Sequence, residues 1–572
     1  TPSNWNQGAF QASLRRAPND TAPRADVTSG GMALSYVAGG GEPGYIAPDP
    51  RDPDVFYSGT NNGGYLDRFD RRLGTSREVN PYPWFYSGEP SREIRERWQW
   101  TFPIIFSPVD PTTLYTSSQR LWRTRDGGRT WAALSGDLTR HDPRTQGPSG
   151  GPITGDMNGP EVYATIFAVG PGKLDANVIW TGSDDGLVHV TRDGGKTWTN
   201  VTPKEMPEFG RVSQIDASAF ASGTAYLAVK RPLLDDLAPY VFRTTDYGRT
   251  WTKIVTGLRA DAYVHAVRED PTRRGMLYAA TQHGVSLSYD DGATWQDLSL
   301  NLPDVPVADL VVEGNDLVIG THGRGFWVLD DIAALRQASP AVLAADAHLF
   351  APARGVRSGP GITLSWLLRD VPKEARVEIA DSTGAVLRAF VMDTAAGAAA
   401  GAAGGGRRRS GASSMPRGAG LQRLTWDLRA QGIDTFPGMI LWGAGTAGPA
   451  VPPGRYVARL VADGRTAEAP VTVARNPRIT TVSDADLRAQ WAFGRKVRDR
   501  TNDAQRAVIA VRRAKAQAAE RTPHSASFAG RRVMTSMLAR SAAGVVGPRR
   551  DSQTPLQAMP SGPCCCHGSQ PV

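Results

Sequence analysis

Between about residues 44 and 331, six-residue β-rich apolar runs recur: VFYSGT (55–60), TLYTSS (113–118), VIWTGS (178–183), TAYLAV (224–229), MLYAAT (276–281) and DLVIGT (316–321). Their starts lie 58, 65, 46, 52 and 40 residues apart. Short β-branched and aromatic runs bounded by turn residues predict strands rather than helices. Another apolar run precedes each, as in FPIIFSP, ATIFAV or HAVRED, and a third follows, as in LWRTRDGG, LVHVTRDGG, VFRTTDYG or VSLSYDDG. In four units a Trp then opens a fourth short strand. A four-stranded unit of this period is a β-propeller blade. The expectation is an all-β propeller over 1–335, with six blades visible and a seventh completed by N-terminal residues.

The joint between third and fourth strands carries a tighter motif, Ser/Thr-x-Asp-x-Gly-x-Thr-Trp: TRDGGRTW (124–131), TRDGGKTW (191–198), TTDYGRTW (244–251) and SYDDGATW (288–295). Asp126, Asp193, Asp246 and Asp290 can accept hydrogen bonds from turn N–H groups, while Gly128, Gly195, Gly248 and Gly292 permit positive φ. Trp131, Trp198, Trp251 and Trp295 can then anchor one sheet to the next. Identical carboxylates in every unit are explained by identical turns, not by catalysis.

These residues resemble the Asp-box, or bacterial neuraminidase repeat, propellers, a group that includes sialidases, two-propeller xyloglucan-cleaving glycosidases and the sortilin receptor domain. Together with GGGEPGYIAPDPRDPDVFYSGTNNGGYLDRFD, GPITGDMNGPEVYATIFAV and THGRGFWVLDD, they look most like the large bacterial sortilin-like or "glycosyl hydrolase, BNR repeat" proteins. The resemblance covers roughly residues 1–515. It implies that the Asp boxes lie on outer turns away from the ligand channel, that the protein works outside the cytoplasm, and that an N-terminal companion propeller is missing from this chain. Xyloglucan-cleaving relatives take one catalytic Asp from each of two facing propellers, whereas this chain supplies one.

Past residue 335 the pattern changes. Runs such as ITLSWLL, ARVEIAD, AVLRAFVM, QRLTWDLR and RYVARLVAD predict an immunoglobulin- or fibronectin-like β-sandwich over 340–475, interrupted by a Gly/Ala/Arg-rich insert at 394–420 expected to be disordered. Ser483 and Asp486 form a capping box opening an amphipathic helix over 483–516, its apolar stripe running Leu487, Trp491, Gly494, Val497, Thr501, Ala504, Val508 and Val511. That helix is expected to pack on the sandwich or on a partner helix. Residues 521–572 show no periodicity and are expected to be disordered.

Gly 62 and Pro 42 among 572 residues suit a turn-rich β protein. The net charge of +9 resides in 394–420 and 521–572, leaving a neutral body without the basic face that nucleic-acid binding demands. No apolar run is long enough to span a membrane as a helix. The 3 cysteines are Cys564, Cys565 and Cys566, so no disulfide framework is predicted; adjacent thiols beside His567 make a poor metal cage, and no metal or other cofactor is expected. Phosphate-loop, zinc-protease and nucleophile-elbow motifs are absent. His189, His265, His283 and His322 are not spaced as a ligand set.

A glycosidase needs two carboxylates about 5–10 Å apart. Outside the repeated turns the candidate acids are Asp156, Glu161, Asp184, Asp185, Asp235, Asp236, Asp330 and Asp331, each with a structural alternative: Asp184 and Asp185 precede Gly186 as in an ordinary turn, and Asp330 and Asp331 occupy the place of an Asp-box Asp in a degenerate sixth unit, which leaves Asp156 and Glu161, in a Gly/Pro-rich loop entering a blade's inner strand, as the catalytic candidates. The aromatic loop 82–102 offers Trp84, Tyr86, Trp98 and Trp100 as the best contact surface for a sugar or peptide. No complete catalytic constellation is legible. The leading expectation is a recognition propeller for a glycan, peptide or protein ligand; the alternative is a glycoside hydrolase acting on a polysaccharide.

Overall fold

The computed structural model describes residues 15–17, 45–59, 66–82, 84, 88–153, 155, 157, 162–392, 414–443 and 445–520. The chain is an all-β propeller followed by a two-sheet sandwich and a long helix. Six four-stranded antiparallel sheets follow one another as blades, and successive blades touch near their inner strands. Tyr45, just ahead of the first blade, lies within electrostatic reach of Asp309 and Arg268 on the inner strands of blades six and five, so the ring closes.

The closure corrects the expected blade number. The sixth unit has three strands of its own, Val307–Glu313, Asp316–Thr321 and Phe326–Leu329, and Arg15–Ala17 pairs antiparallel with Phe326–Val328 as its fourth. Among the described residues there is no seventh blade. The sixth unit carries no Asp–Gly–Thr–Trp turn to launch an outer strand, and an N-terminal segment completes it instead.

The four repeated turns latch each blade to the one before. Thr130 donates to Asp126 through its N–H (2.9 Å) and hydroxyl (2.7 Å), and Thr124 donates to the same carboxylate (2.8 Å). The arrangement repeats at Asp193, Asp246 and Asp290. With the turn fixed, Trp131, Trp198, Trp251 and Trp295 donate their indole N–H to the carbonyls of Val79, Leu134, Val201 and Ile254, each the residue just beyond the previous blade's outer strand. The turn glycine packs on that same residue. At Gly248, with φ +81°, a Cβ would stand 2.7 Å from the Val201 Cβ.

In the second domain, Ile362–Leu368 alternates buried and half-buried residues with period two, as a one-face-buried strand must. It pairs with Gly420–Trp426 and Ala347–Leu349, and this sheet packs on a six-stranded one built around Gly454–Ala462 and Arg465–Ala474. Trp366, Trp426, Val377 and Leu460 fill the space between the two sheets. The predicted insert ends earlier than expected. Ser414–Met415 forms a short strand parallel to Val386–Met392, Met415 is fully buried, and a strand begins at Gly420. Arg407, Arg408 and Arg409 lie outside the described residues.

The helix spans Asp484–Glu520, with reciprocal Ser483–Asp486 bonds at its start. The described residues up to 433, with Gly445–Arg498, form one compact unit; Asp434–Ala444 and the helix from Asp499 form another. Within the first, Leu487 is buried and Trp491 packs on the sandwich core. Within the second, Asn502 accepts from the Asp434 N–H and Arg506 pairs with the Asp434 carboxylate. The predicted stripe does not stay covered: Val497 and Val511 are exposed. No helix among the described residues is long and apolar enough to cross a membrane. The Cys564–His567 run lies outside the described residues.

Candidate functional site

In an antiparallel four-stranded blade, the turn from second to third strand lies at the same end as the crossover into the next blade. The Asp–Gly–Thr–Trp turns, joining third to fourth strands, therefore sit at the opposite end. A cavity of about 350 Å³ opens at the crossover end of blades three and four, lined by Tyr163, Asp184, Phe209, Arg211, Lys230 and the Pro232–Leu234 turn.

Asp184 follows the second strand of blade three, Ile179–Ser183, and is only 2% exposed. It accepts from the Thr165 N–H (2.8 Å), the Thr165 hydroxyl (2.8 Å) and the Gln99 amide (3.3 Å). Burial and the adjacent Asp185 nevertheless push its pKa up to about 7, outweighing these bonds and the Arg211 charge. Asp185 plays a structural part instead. It accepts from Ser183 Oγ and from the N–H groups of Arg140 and His141, tying the long crossover loop to the blade. Gly186, at φ +91°, closes the turn against Phe209 and Gly210 backbone, where a Cβ would not fit comfortably.

Blade four supplies the opposite wall. Arg211, at the start of the inner strand, is the direct cross-strand partner of Lys230 on the second. The guanidinium stands 5.0 Å over the Phe167 ring, and the ammonium lies 2.9 Å from Nδ1 of His265. Burial and the Arg211 charge push Lys230 down to about 8; burial, Lys230 and His322 push His265 down to about 3. A neutral His265 then accepts from Lys230 at Nδ1 and carries its proton on Nε2. The His322 ring lies 5.6 Å away. Phe209 is held at φ +56°, an arrangement costing a bulky residue about 1–2 kcal/mol.

The sequence-predicted contact residues divide. Trp98 is 1% exposed, stacked edge-on against Phe102 in the core beneath blade one, and is no ligand contact. Trp100 is half-buried and Trp84 is 58% exposed. Tyr86, Asp156 and Glu161 lie outside the described residues. The 82–102 loop instead works as a brace: Gln99 holds Asp184, and the Arg97 guanidinium holds the Ala164 carbonyl and Asp137. The GPITGDMNGPEVY loop does reach the site, through Tyr163, while the following Thr165 holds Asp184.

Of the acids given a structural alternative, Asp236 bonds Arg231 and Tyr240, and Asp331 accepts from the Ala333 N–H. Asp184 departs from that expectation, and the parity of strand connections is the signal that could have placed it at the crossover end. His265 and His322, not spaced as a ligand set in the sequence, are brought together by adjacent blades. Among the described residues no group of three or more His, Cys, Asp or Glu could hold a metal ion.

Fold and pocket together define a β-propeller with a built, charged cavity on one face. By sequence, the chain is similar to glycoside hydrolases: it is 26% identical over 242 residues to a xyloglucanase of a Paenibacillus species, covering 39% of this chain and 22% of that protein. It is 28% identical over 212 residues to a probable oligoxyloglucan-reducing end-specific xyloglucanase of Neosartorya fischeri, covering 35% of this chain and 23% of that one. The chain thus matches less than a quarter of the length of these curated relatives. Among solved structures, the GH74 xyloglucanase of Xanthomonas campestris aligns with a TM-score of 0.36 and 19% identity, over 56% of this chain and 50% of that one. PorZ of Porphyromonas gingivalis aligns at 0.34 and 14% identity, over 75% and 51%. No protein-family model matches the chain.

Proposed function

We propose that this chain is the glycan-engaging propeller of an extracytoplasmic, glycoside-hydrolase-like protein, with the ligand seated at the crossover end of blades three and four. The observation that carries the reading is Asp184, a carboxyl lining the pocket and held near pKa 7, able to keep its proton where an ordinary Asp has lost it. Sequence similarity to xyloglucanases supports a polysaccharide as the ligand class. Membership of the Asp-box group is part of the same proposal, supported by the four latching turns.

Hydrolysis of a glycosidic bond needs a second carboxylate as base or nucleophile. Asp185 is committed to Ser183, Arg140 and His141, so the partner would come from Asp156 or Glu161 in the loop ahead of Tyr163, or from a companion propeller. In that scheme the Asp184 proton goes to the leaving-group oxygen as the bond breaks, and the second carboxylate activates water or attacks the anomeric carbon. A recognition role without hydrolysis is the second reading, favoured by the three hydrogen bonds that already occupy both Asp184 oxygens.

A polysaccharide panel including xyloglucan, scored for retained ligand and for new reducing ends, separates the two. Sugar release abolished in Asp184→Asn or Glu161→Gln would support hydrolysis. Retention without release would leave a recognition propeller, and loss of both signals across the panel would refute a glycan ligand.

A further inference from the structure

The wall of the pocket carries a local conflict. Arg211 and Lys230 face each other directly across two antiparallel strands, an arrangement in which like charges repel. Burial adds to the cost, because both cations line a cavity walled by Tyr163, Phe209, Pro232 and Leu233. Ion pairing does not relieve it: on this face Arg231 pairs with Asp236 and Arg140 with Glu208, but among the described residues neither Arg211 nor Lys230 has a carboxylate within ion-pair distance. Both are instead held in place by neutral rings, Arg211 over Phe167 and Lys230 against the nitrogen of His265. Fixed, half-buried cations that no carboxylate of the described residues meets in an ion pair are the arrangement that binds an anion, even with Asp184 close enough to feel the Arg211 charge; a conflict of this kind is tolerated where function requires it.

We infer that the pocket takes a carboxylate-bearing sugar, a uronic-acid residue of an acidic polysaccharide, with its carboxylate between Arg211 and Lys230 and its ring against Tyr163 and Phe209. The inference rests on the reading of a glycan ligand and narrows it. A cavity of about 350 Å³ lies at the small end of ligand sites, which run from about 300 Å³ upward, and suits one unit of a chain rather than a long bound segment. The guanidinium can grip both carboxylate oxygens while the ammonium supplies a point charge. A neutral glucan offers nothing to neutralise this pair.

The test compares four probes on the full chain by calorimetric titration: an oligogalacturonate, its methyl ester, a neutral xyloglucan oligosaccharide, and a short peptide with a free C-terminal carboxylate. The acid should bind at least about tenfold tighter than its ester or the neutral sugar, with that margin shrinking in 0.5 M salt as charge screening requires. Arg211→Gln and Lys230→Gln should each erase most of the margin of acid over ester, and Arg211→Lys should keep part of it. The acid–ester comparison needs no variant, so it stands even if a substitution unfolds the blade. Equal affinity for acid and ester overturns the uronate inference and leaves the glycan reading intact. Binding of the peptide but of no sugar overturns both, as does binding of none of the four.

Discussion

Replacing Asp184 by Asn tests whether this carboxyl is neutral in the folded protein. The pKa rises from 3.8 to about 7, a shift of about 3 units, or roughly 4 kcal/mol at 1.36 kcal/mol per unit. Between about pH 4 and pH 7 the unfolded chain has released this proton while the folded chain retains it. The folded state therefore binds more protons, and stability falls as pH rises through this window, levelling off above about pH 7. Asn copies the neutral acid, accepting from the Thr165 N–H and donating to its hydroxyl, but sets its amide against that of Gln99, a loss of about 1 kcal/mol. The variant should be less stable than wild type by about half a kcal/mol at pH 4 and more stable by about 3 kcal/mol at pH 8, crossing over near pH 4.5. The blades run from Ile46 to Leu329, roughly 280 residues, so an unfolding entropy near 0.6 kcal/mol/K converts the upper value into a Tm gain of about 5 °C. Differential scanning calorimetry of both proteins from pH 4 to 8 measures it. A pH-independent difference, or a wild type more stable than the variant at pH 8, would show that Asp184 is ionised in the fold and would remove the proton donor from the site.

The remaining predictions concern the frame around the pocket. Gly248→Ala combines a φ of +81° with a Cβ 2.7 Å from Val201 and should cost about 2–4 kcal/mol in urea unfolding, whereas Gly74→Ala, at φ +62° with open space around it, should cost only the backbone strain of about 1–2 kcal/mol. Trp251→Phe removes the donor to that same Val201 carbonyl, so a double-mutant cycle with Gly248→Ala should show non-additivity; strict additivity would deny that they form one latch. Arg336 holds both oxygens of fully buried Asp270, and Arg336→Ala should destabilise by about 3–5 kcal/mol, with Asp270→Asn partly rescuing it. Bonds from threonine hold Asp126 and Asp193 well below the ordinary carboxylate range. The sign there is opposite to that of Asp184: their stabilisation is complete above about pH 4 and disappears as pH falls below it, which an acid titration followed by circular dichroism reads. Trp98→Ala should destabilise by about 3–5 kcal/mol, while Trp84→Ala, at a side chain 58% exposed, should cost much less, so a change in sugar affinity there would report a ligand contact.

What was legible in the sequence is what local periodicity encodes. Six-residue apolar runs in a repeating order specify strands and blades, because a strand buried on both faces has few other solutions. The spacing of Thr124, Asp126, Gly128, Thr130 and Trp131 specifies a turn, since a carboxylate, a positive-φ residue and its donors must all fall within one hairpin. The capping box at Ser483 and the start of the helix were equally local. The tertiary structure decided everything that depends on closing a ring. Arg15–Ala17 joins the sixth blade across some three hundred residues, and nothing in its own composition marks it as that blade's outer strand. Trp98 and Trp84 stand in one aromatic loop, yet only the packing of blade one separates a core residue from an exposed one. Asp184 resembles any turn aspartate until Thr165, Gln99 and Asp185 surround it, because a carboxyl's pKa depends on desolvation and neighbouring charge rather than on chain position. Arg211 and Lys230 are nineteen residues apart in the chain and face to face in the sheet, and it is strand register, not sequence spacing, that sets two ordinary cations side by side in one pocket wall.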